Sequence, residues 1–225
     1  MSRPARPAFP LVLSGPSGAG KTSVATWLLE HDPDIILSVS CTTRPRRGQE
    51  VEGIDYFYVD EPEFLARRDR GEFLEWALVH GHLYGTPRAF VDRRIREGKI
   101  VLLDIDVQGA MQVRGSRGDA VLVFLMPPSL MTLEDRLRGR STDADEVIHR
   151  RLLAARREVQ TAPAYDYLVV NRDLDETRHA VASIVEAERC RASRVLTSAA
   201  VENEPMLAEM RLEKSGSLPE NLERT

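Results

Sequence analysis

The 225-residue sequence is poor in cysteine and in lysine, and it has no long apolar run. Its two cysteines, Cys41 and Cys190, are far apart and form no CxxC pair, which argues against a disulfide framework or a cysteine-based metal site. No apolar stretch approaches the ~20 residues that a helix needs to span a bilayer. Because a signal-peptide pattern is missing too, we expect a cytoplasmic protein without membrane contact.

A surplus of positive charge is also missing. The formal net charge is −4, whereas general affinity for nucleic acid depends on excess lysine and arginine, so we expect no nucleic-acid partner. Only three of the 31 basic residues are lysine, and one of them, Lys21, lies in a glycine-rich segment. No pattern indicates an oligomeric state.

Short apolar runs typical of buried strands alternate with helical patterns. The sequence predicts strands at 11–13, 100–105, 120–126 and 167–170, and helices at 22–31, 88–97, 130–138, 145–160 and 174–194. This order predicts an α/β fold, with a parallel sheet flanked by helices on both faces. Asp173 and Glu176 form a capping-box pattern for the last helix. Between residues 38 and 86 the alternation stops, which indicates an inserted β-rich unit.

The glycine-rich segment GPSGAGKT matches the phosphate-loop pattern G-x-x-x-x-G-K-[ST]. It consists of Gly15, Pro16, Ser17, Gly18, Ala19, Gly20, Lys21 and Thr22. The glycines let successive backbone N–H groups face phosphate oxygens, and the following helix directs its positive end at the same anion. Lys21 suits the β- and γ-phosphates and the Thr22 hydroxyl suits Mg²⁺. The motif predicts binding of a nucleoside triphosphate but does not identify a phosphate acceptor.

Two acidic residues follow an apolar run in VLLDIDVQG. At alternate positions of one strand, Asp104 and Asp106 would point to the same face. Ligands of parallel sheets bind beyond the carboxyl ends of the strands. We therefore expect these carboxylates near the phosphates, where they hold Mg²⁺ through water or orient arginines.

Several ordered motifs resemble those of guanylate kinases. They are the phosphate loop, SVSCTTRPRRGQEVEGIDYFYV, EFLEWALVHGHLYGTPR, LLDIDVQGAMQVR, RLRGRS and YDYLVVN, and together they extend from about residue 11 to 194. The resemblance implies a P-loop kinase fold with a core, a β-rich GMP-binding unit and a helical lid. It implies transfer of phosphate from ATP to GMP, and to dGMP, with Mg²⁺ as cofactor.

The resemblance assigns Glu75 to the guanine base. Guanine offers N1–H and an exocyclic NH₂ as adjacent donors, and one ionised carboxylate can accept from both. Ser40 and Thr86 match the hydroxyl positions around the base, and Asp104 and Asp106 are included in the same site. Without the resemblance, Glu75 would be interpreted as a surface residue on a helix face.

For the acceptor phosphate, the resemblance implies two arginines and two tyrosines. Arg44, Tyr56 and Tyr84 match directly. The second arginine can be aligned in two ways, because the sequence reads Pro45-Arg46-Arg47-Gly48. Counting without a gap selects Arg47, which we favour, and keeping the proline and glycine in register selects Arg46.

On the ATP side, the resemblance implies arginines in and beside a mobile lid. Arg136, Arg140 and Arg151 match these positions, and Lys21, Arg44, Arg140 and Arg151 form the implied catalytic set. Asn171 lies where the family approaches the adenine ring, although an asparagine at a strand end is equally well explained as a turn residue.

These motifs predict three segments. Residues 1–8 form a disordered lead, residues 9–196 the kinase-like domain, and residues 197–225 a polar, disordered tail. Within the domain the core comprises 9–38, 87–132 and 158–196, the GMP-binding unit 39–86 and the lid 133–157. A non-catalytic guanylate-kinase-like interaction module and a related phospho-ribose kinase are the alternatives.

Overall fold

The computed structural model describes residues 6–79, 81–139 and 145–197 of the chain. The predicted lead and tail fall largely outside these ranges, and Arg140 lies outside them as well.

Strands and helices alternate along most of the described chain. The strands are β1 (Pro10–Ser14), β2 (Ile35–Leu37), β3 (Ser40–Thr42), β4 (Tyr56–Tyr58), β5 (Phe73–Val79), β6 (His82–Pro87), β7 (Ile100–Asp104), β8 (Val121–Met126) and β9 (Tyr167–Val170). The helices are α1 (Lys21–His31), α2 (Glu61–Asp69), α3 (Arg88–Arg96), α4 (Val107–Ser116), α5 (Leu130–Arg138), α6 (Asp145–Val159), α7 (Leu174–Arg189) and α8 (Ala192–Thr197). A 3₁₀ turn, Ala162–Ala164, precedes β9.

Five strands form a parallel sheet in the order β2-β7-β1-β8-β9. Along β1 the side chains alternate, so Leu11 and Leu13 join a cluster with α1 and α7, whereas Val12 joins a cluster with α3 and α4 on the other face. Helices therefore cover both faces, which confirms the predicted α/β architecture. The four predicted strands are β1, β7, β8 and β9.

The remaining strands form a second, smaller sheet in the order β4-β3-β6-β5. Strands β3 and β4 are parallel, and the other neighbours are antiparallel. Helix α2 covers this sheet, and its Phe64 ring stacks on Phe73 with 4.5 Å between centroids. Asp60 caps α2 by accepting a hydrogen bond from the Glu63 N–H. This sheet is the β-rich unit that the broken alternation indicates.

Helices α5 and α6 lie on either side of residues 140–144. They pack through Leu133 and Leu137 of α5 and Ile148 and Ala155 of α6, a buried cluster separate from the two sheet cores. The Ser129 hydroxyl caps α5 by accepting from the Thr132 N–H.

Several elements differ from the predictions. Strand β2 and helices α2 and α4 were not predicted, because β2 has three residues and α4 carries two glycines on a short apolar pattern. The helix predicted at 174–194 ends instead at Arg189, and α8 is a separate helix. After this break, Arg191 and Arg194 both reach the buried Glu188 carboxylate. The Asp173 cap was predicted correctly, since its side chain accepts from the Glu176 N–H.

No helix in the described ranges is both long enough and apolar enough to cross a membrane.

Candidate active site

The phosphate loop connects the central strand β1 to helix α1. Gly15 and Gly20 have φ angles of 138° and 102°, in the left-handed region that favours glycine. A Cβ on Gly15 would lie 2.1 Å from the Leu125 carbonyl oxygen, and one on Gly20 would lie 2.3 Å from Asn171 Nδ2. Both glycines are therefore required by backbone conformation and by close packing.

The loop forms a concave pocket at the N-terminus of α1. It is lined by Ser17, Gly18, Gly20, Lys21, Thr22 and Ser23. Lys21 Nζ donates to the loop carbonyls of Gly15 at 2.6 Å and Pro16 at 3.2 Å. The first turn of α1 has no acidic residue, so the helix dipole and the ammonium group both favour an anion here.

Asn171 supports this loop through side-chain hydrogen bonds. Its side chain is 3% exposed, its Nδ2 donates to the Ala19 carbonyl at 2.8 Å, and its Oδ1 accepts from the Thr177 hydroxyl at 3.2 Å. The Asn171 carbonyl accepts from Arg136 Nη2 at 3.0 Å, which links α5 to the same point. The side chain therefore supports the phosphate loop, and its predicted approach to the adenine ring of ATP stays a prediction.

The lid arginines are described in part. Arg136 lies on α5 in the contact just given, and Arg151 is half-buried on α6. A Cβ on Gly18 would lie 2.9 Å from the Leu133 side chain, so α5 packs directly on the phosphate loop.

Asp104 and Asp106 do not lie on one strand, and this prediction is wrong. Strand β7 ends at Asp104, and Asp106 is the N-cap of α4, where its carboxylate accepts from the Gly109 N–H at 2.8 Å. Desolvation by the surrounding protein raises the pKa of the Asp104 carboxyl, and the charge of Lys21 opposes that shift. Asp104 therefore lies within electrostatic range of Lys21, as does Glu158 of α6.

Glu75 is a buried carboxylate on β5, not a surface residue on a helix. It lies opposite Thr86 of β6, and its Oε1 accepts from the Thr86 N–H at 3.1 Å and the Thr86 hydroxyl at 2.6 Å. Burial raises the pKa of Glu75, the Thr86 hydrogen bonds oppose this, and the charge of Asp106 adds to it. The carboxylate therefore lies within electrostatic range of the aspartate that caps α4.

Two residues of α4, Gly109 and Gln112, pack against β5 at Glu75 and Trp76, and sequence reasoning did not identify either. A Cβ on Gly109 would lie 2.9 Å from Glu75 Oε2, so a larger residue there would force the carboxylate to move. The Gln112 side chain accepts from the Trp76 N–H at 3.1 Å and donates to the Trp76 carbonyl at 2.9 Å. This amide pairs with the backbone next to Glu75 as a neighbouring strand would.

Arg44, Tyr56 and Tyr84 lie together, as predicted from the resemblance. Arg44 is 6% exposed, its Nε donates to the Tyr84 hydroxyl at 3.2 Å, and its guanidinium lies over the Tyr56 ring at 5.2 Å. The Tyr56 and Tyr84 rings meet edge to face with centroids 5.9 Å apart. The cluster offers a guanidinium and phenolic hydroxyls, which suit a phosphate group.

Glu50 connects Arg44 of this cluster to Tyr58 and to the Arg47 backbone, and sequence reasoning did not identify it. Its Oε1 accepts from Arg44 Nη2 at 2.6 Å, and its Oε2 accepts from the Tyr58 hydroxyl at 2.7 Å and the Arg47 N–H at 2.8 Å. These three bonds, that from Arg44 above all, lower the pKa of Glu50 to about 2. In the sequence, only its position three residues after Arg47 could have indicated that Glu50 contacts this turn.

Ser40 and the two candidate arginines, Arg46 and Arg47, are the other residues predicted to contact GMP. Ser40 is on β3, opposite Tyr56 in the β3–β4 pairing. Arg46 and Arg47 are both exposed on the turn that follows Arg44, so the choice of Arg47 stays a prediction.

Comparison with known proteins gives consistent matches over most of the chain. A family model described as guanylate kinase matches residues 8–188. A guanylate kinase from Myxococcus xanthus is 50% identical over 190 residues, which cover 84% of this chain and 91% of that protein. One from Thermotoga maritima is 48% identical over 183 residues, which cover 81% of this chain and 88% of that protein.

A solved structure agrees with these relatives. The crystal structure of guanylate kinase from Anaplasma phagocytophilum superposes with a TM-score of 0.66 at 37% identity, and the match covers 84% of this chain and 90% of that chain. The matched residues include the phosphate loop, the smaller sheet with Glu75 and Arg44, and helices α5 and α6. The chain therefore belongs to the guanylate kinase family.

Proposed function

We propose that the chain transfers the γ-phosphoryl group of ATP to GMP. A phosphate oxygen of GMP attacks the γ-phosphorus, the bond from that phosphorus to the β–γ bridging oxygen breaks, and the products are GDP and ADP. The observation that carries the proposal is a buried carboxylate, Glu75, on the same small sheet as the Arg44–Tyr56–Tyr84 cluster. Helix α4 packs both on β5 of this sheet and on β1, the strand that leads into the phosphate loop. Family membership supports the same reaction.

The donor site is proposed at the phosphate loop. The backbone of residues 15–20 and Lys21 hold the β- and γ-phosphates, and Lys21 stabilises the charge that develops during transfer. Arg136 of α5 and Arg151 of α6 are assigned to the same phosphates, and Arg140 is assigned to this role from the family motif alone. Closure of these helices would exclude water that competes with GMP.

The acceptor site is proposed on the smaller sheet. Glu75 accepts from guanine N1–H and NH₂, while Thr86 and Ser40 supply hydroxyls around the base. Arg44, Tyr56, Tyr84 and Arg47 bind the phosphate of GMP. Because Tyr84 accepts from Arg44, its own proton remains available for a phosphate oxygen. The same groups would accept dGMP, since none of them is assigned to the 2′-hydroxyl.

Mg²⁺ fits the residues at the loop. Thr22 is exposed in the first turn of α1, and Asp104 is exposed at the end of β7. No group of three or more His, Cys, Asp or Glu side chains in the described ranges is placed to hold a metal ion. Mg²⁺ commonly keeps several waters and uses one or two protein groups with substrate phosphates, which suits Thr22 and water-mediated contact to Asp104. When bound, it would neutralise charge on the β- and γ-phosphate oxygens.

The cytoplasm remains the proposed location. Cys41 and Cys190 are free thiols, as is usual for proteins of reducing compartments.

A steady-state assay of ADP formation tests the proposed reaction. With ATP and Mg²⁺ present, we expect turnover with GMP and dGMP, weaker turnover with IMP, and none with AMP or with no acceptor. Equal turnover with AMP would contradict the guanine assignment. Turnover with a ribose phosphate instead would favour the phospho-ribose kinase, and no turnover with any acceptor would favour the non-catalytic module.

A further inference from the structure

We propose that Glu50 is a positioning residue that sets the orientation of Arg44 toward the acceptor phosphate. The inference rests on the proposed function, because Arg44 contributes to catalysis only if a phosphate binds beside it. It adds to the site a residue that does not itself contact substrate.

Three hydrogen bonds restrain the orientation of the Arg44 guanidinium. Its three guanidinium nitrogens donate to three different groups: Nε to the Tyr84 hydroxyl at 3.2 Å, Nη1 to the Pro45 carbonyl at 2.9 Å, and Nη2 to Glu50 at 2.6 Å. A guanidinium has five N–H bonds, so these contacts leave one on Nη1 and one on Nη2. Both remaining N–H groups are available to an anion such as phosphate.

Of the three acceptors, only Glu50 is charged. Hydrogen bonds between ionised partners are shorter and stronger than neutral ones, and this contact is the shortest of the three that Arg44 makes. Arg44 is almost fully buried, and a buried cation needs a hydrogen-bonded counterion when no anionic ligand is present. Glu50 meets that need without occupying the two N–H groups that would bind phosphate.

Glu50 is itself held in one place by other groups. Its second oxygen accepts from the Tyr58 hydroxyl and the Arg47 N–H. Tyr58 belongs to β4, whereas Arg47 lies in the turn after Arg44, so the carboxylate ties this turn to the sheet. Through Arg47, Glu50 also restrains the segment that carries the second predicted phosphate ligand.

Charge repulsion and positioning predict opposite changes in GMP binding when Glu50 is neutralised. A negative charge near an anion site repels phosphate, so charge alone predicts that neutralising Glu50 tightens GMP binding. Positioning predicts the opposite, because Arg44 loses its charged partner and its fixed orientation. The Glu50→Gln variant keeps the size and removes the charge, and Glu50→Asp keeps the charge and shortens the side chain.

The experiment compares steady-state constants of the full chain and its variants. We expect Glu50→Gln to raise KM for GMP about tenfold or more, to change kcat less, and to leave KM for ATP unchanged. Glu50→Asp is expected to raise KM for GMP as well, because the shorter side chain cannot reach Arg44, Tyr58 and Arg47 together. Glu72→Gln is the matched control: it removes one charge from an exposed Arg67–Glu72–Arg70 cluster of the same unit and should match the parent.

Binding of guanosine separates positioning from general damage. Guanosine lacks the phosphate that Arg44 contacts, so NMR titration should give parent-like guanosine affinity in both Glu50 variants while GMP affinity falls. Equal losses for guanosine and GMP would overturn the proposal, because they would indicate a distorted unit. Parent-like or tighter GMP binding in Glu50→Gln would overturn it too. If the parent chain itself shows no GMP-dependent ADP formation, the proposed function fails instead.

Discussion

The phosphate loop and the smaller sheet both present groups suited to phosphate, but they are built differently. The loop is a continuous segment, residues 15–22, in which backbone geometry supplies most of the donors and Lys21 supplies the charge. The smaller sheet uses side chains that are distant in sequence, such as Arg44 and Tyr84. A continuous backbone site tolerates little variation in its glycines. A site made of side chains depends instead on neighbouring residues that orient those side chains, as Glu50 does for Arg44.

The two regions also hold their cations differently. Lys21 donates to carbonyl groups of its own loop, while Arg44 is held by a carboxylate, a phenol and a carbonyl. An ammonium on a flexible stem can follow a phosphoryl group, whereas a fixed guanidinium offers a constant geometry. This difference suits a donor phosphate that moves and an acceptor phosphate that stays in place.

Replacement of Lys21 should have the largest effect and should separate the two regions. We expect Lys21→Ala to lower kcat by about 10²–10³-fold, because the transferring group loses a positive charge that stabilises it. Binding of GMP alone, measured by calorimetry, should remain at the parent level. Lys99→Ala is the control, since Lys99 pairs with Asp34 at the start of β7, whereas the loop follows the end of the parallel strand β1. Loss of GMP affinity in Lys21→Ala would show that the two sites are not independent.

Replacement of Glu75 should affect the acceptor side alone. We expect Glu75→Gln to lower kcat/KM for GMP about 100-fold, because an amide cannot accept from both guanine donors. The preference for GMP over IMP should shrink, and KM for ATP should not change. An unchanged GMP preference would remove Glu75 from base recognition.

The pH dependence of the same variant provides a second readout. Burial raises the pKa of Glu75, and only the ionised form accepts from both donors, so GMP binding by the parent should weaken as pH falls, starting above the usual range of a glutamate. Glu75→Gln should lack this dependence.

A raised folded-state pKa also means that the contribution of Glu75 to stability is lost as pH rises through that pKa. The ligand-free variant should therefore melt at a higher temperature than the parent at neutral pH.

Replacement of Gly109 should have the smallest effect and tests how α4 supports the acceptor site. We expect Gly109→Ala to raise KM for GMP about fivefold, because the new methyl group crowds Glu75 Oε2. Gly115→Ala on the same helix meets no atom within 4 Å, and it should only raise the free energy of unfolding, by about 0.5–1 kcal/mol. Equal kinetics for both variants would contradict the proposed contact.

The predictions from sequence succeeded where periodicity or a local motif was strong. Strands β1, β7, β8 and β9 followed from apolar runs, because a strand buried on both faces must be apolar throughout. The helix α4 was missed because glycines at 109 and 115 weaken its pattern, although Gly109 is required by Glu75. The position of Asp106 was mistaken because alternate spacing cannot tell a strand end from a helix cap.

Residues 15–22 are sufficient to predict the phosphate loop, because its shape depends on backbone torsions and donors of consecutive residues. The acceptor site is different, since spacing places Arg44, Glu50, Glu75 and Tyr84 on one segment without saying which of them meet. Folding of the smaller sheet brings Glu75 to Thr86 and Arg44 to Tyr84, and packing of α4 places Gly109 and Gln112 against Glu75 and Trp76 of β5. Burial then gives these charged groups their partners, because a buried charge is stable only when it is hydrogen-bonded.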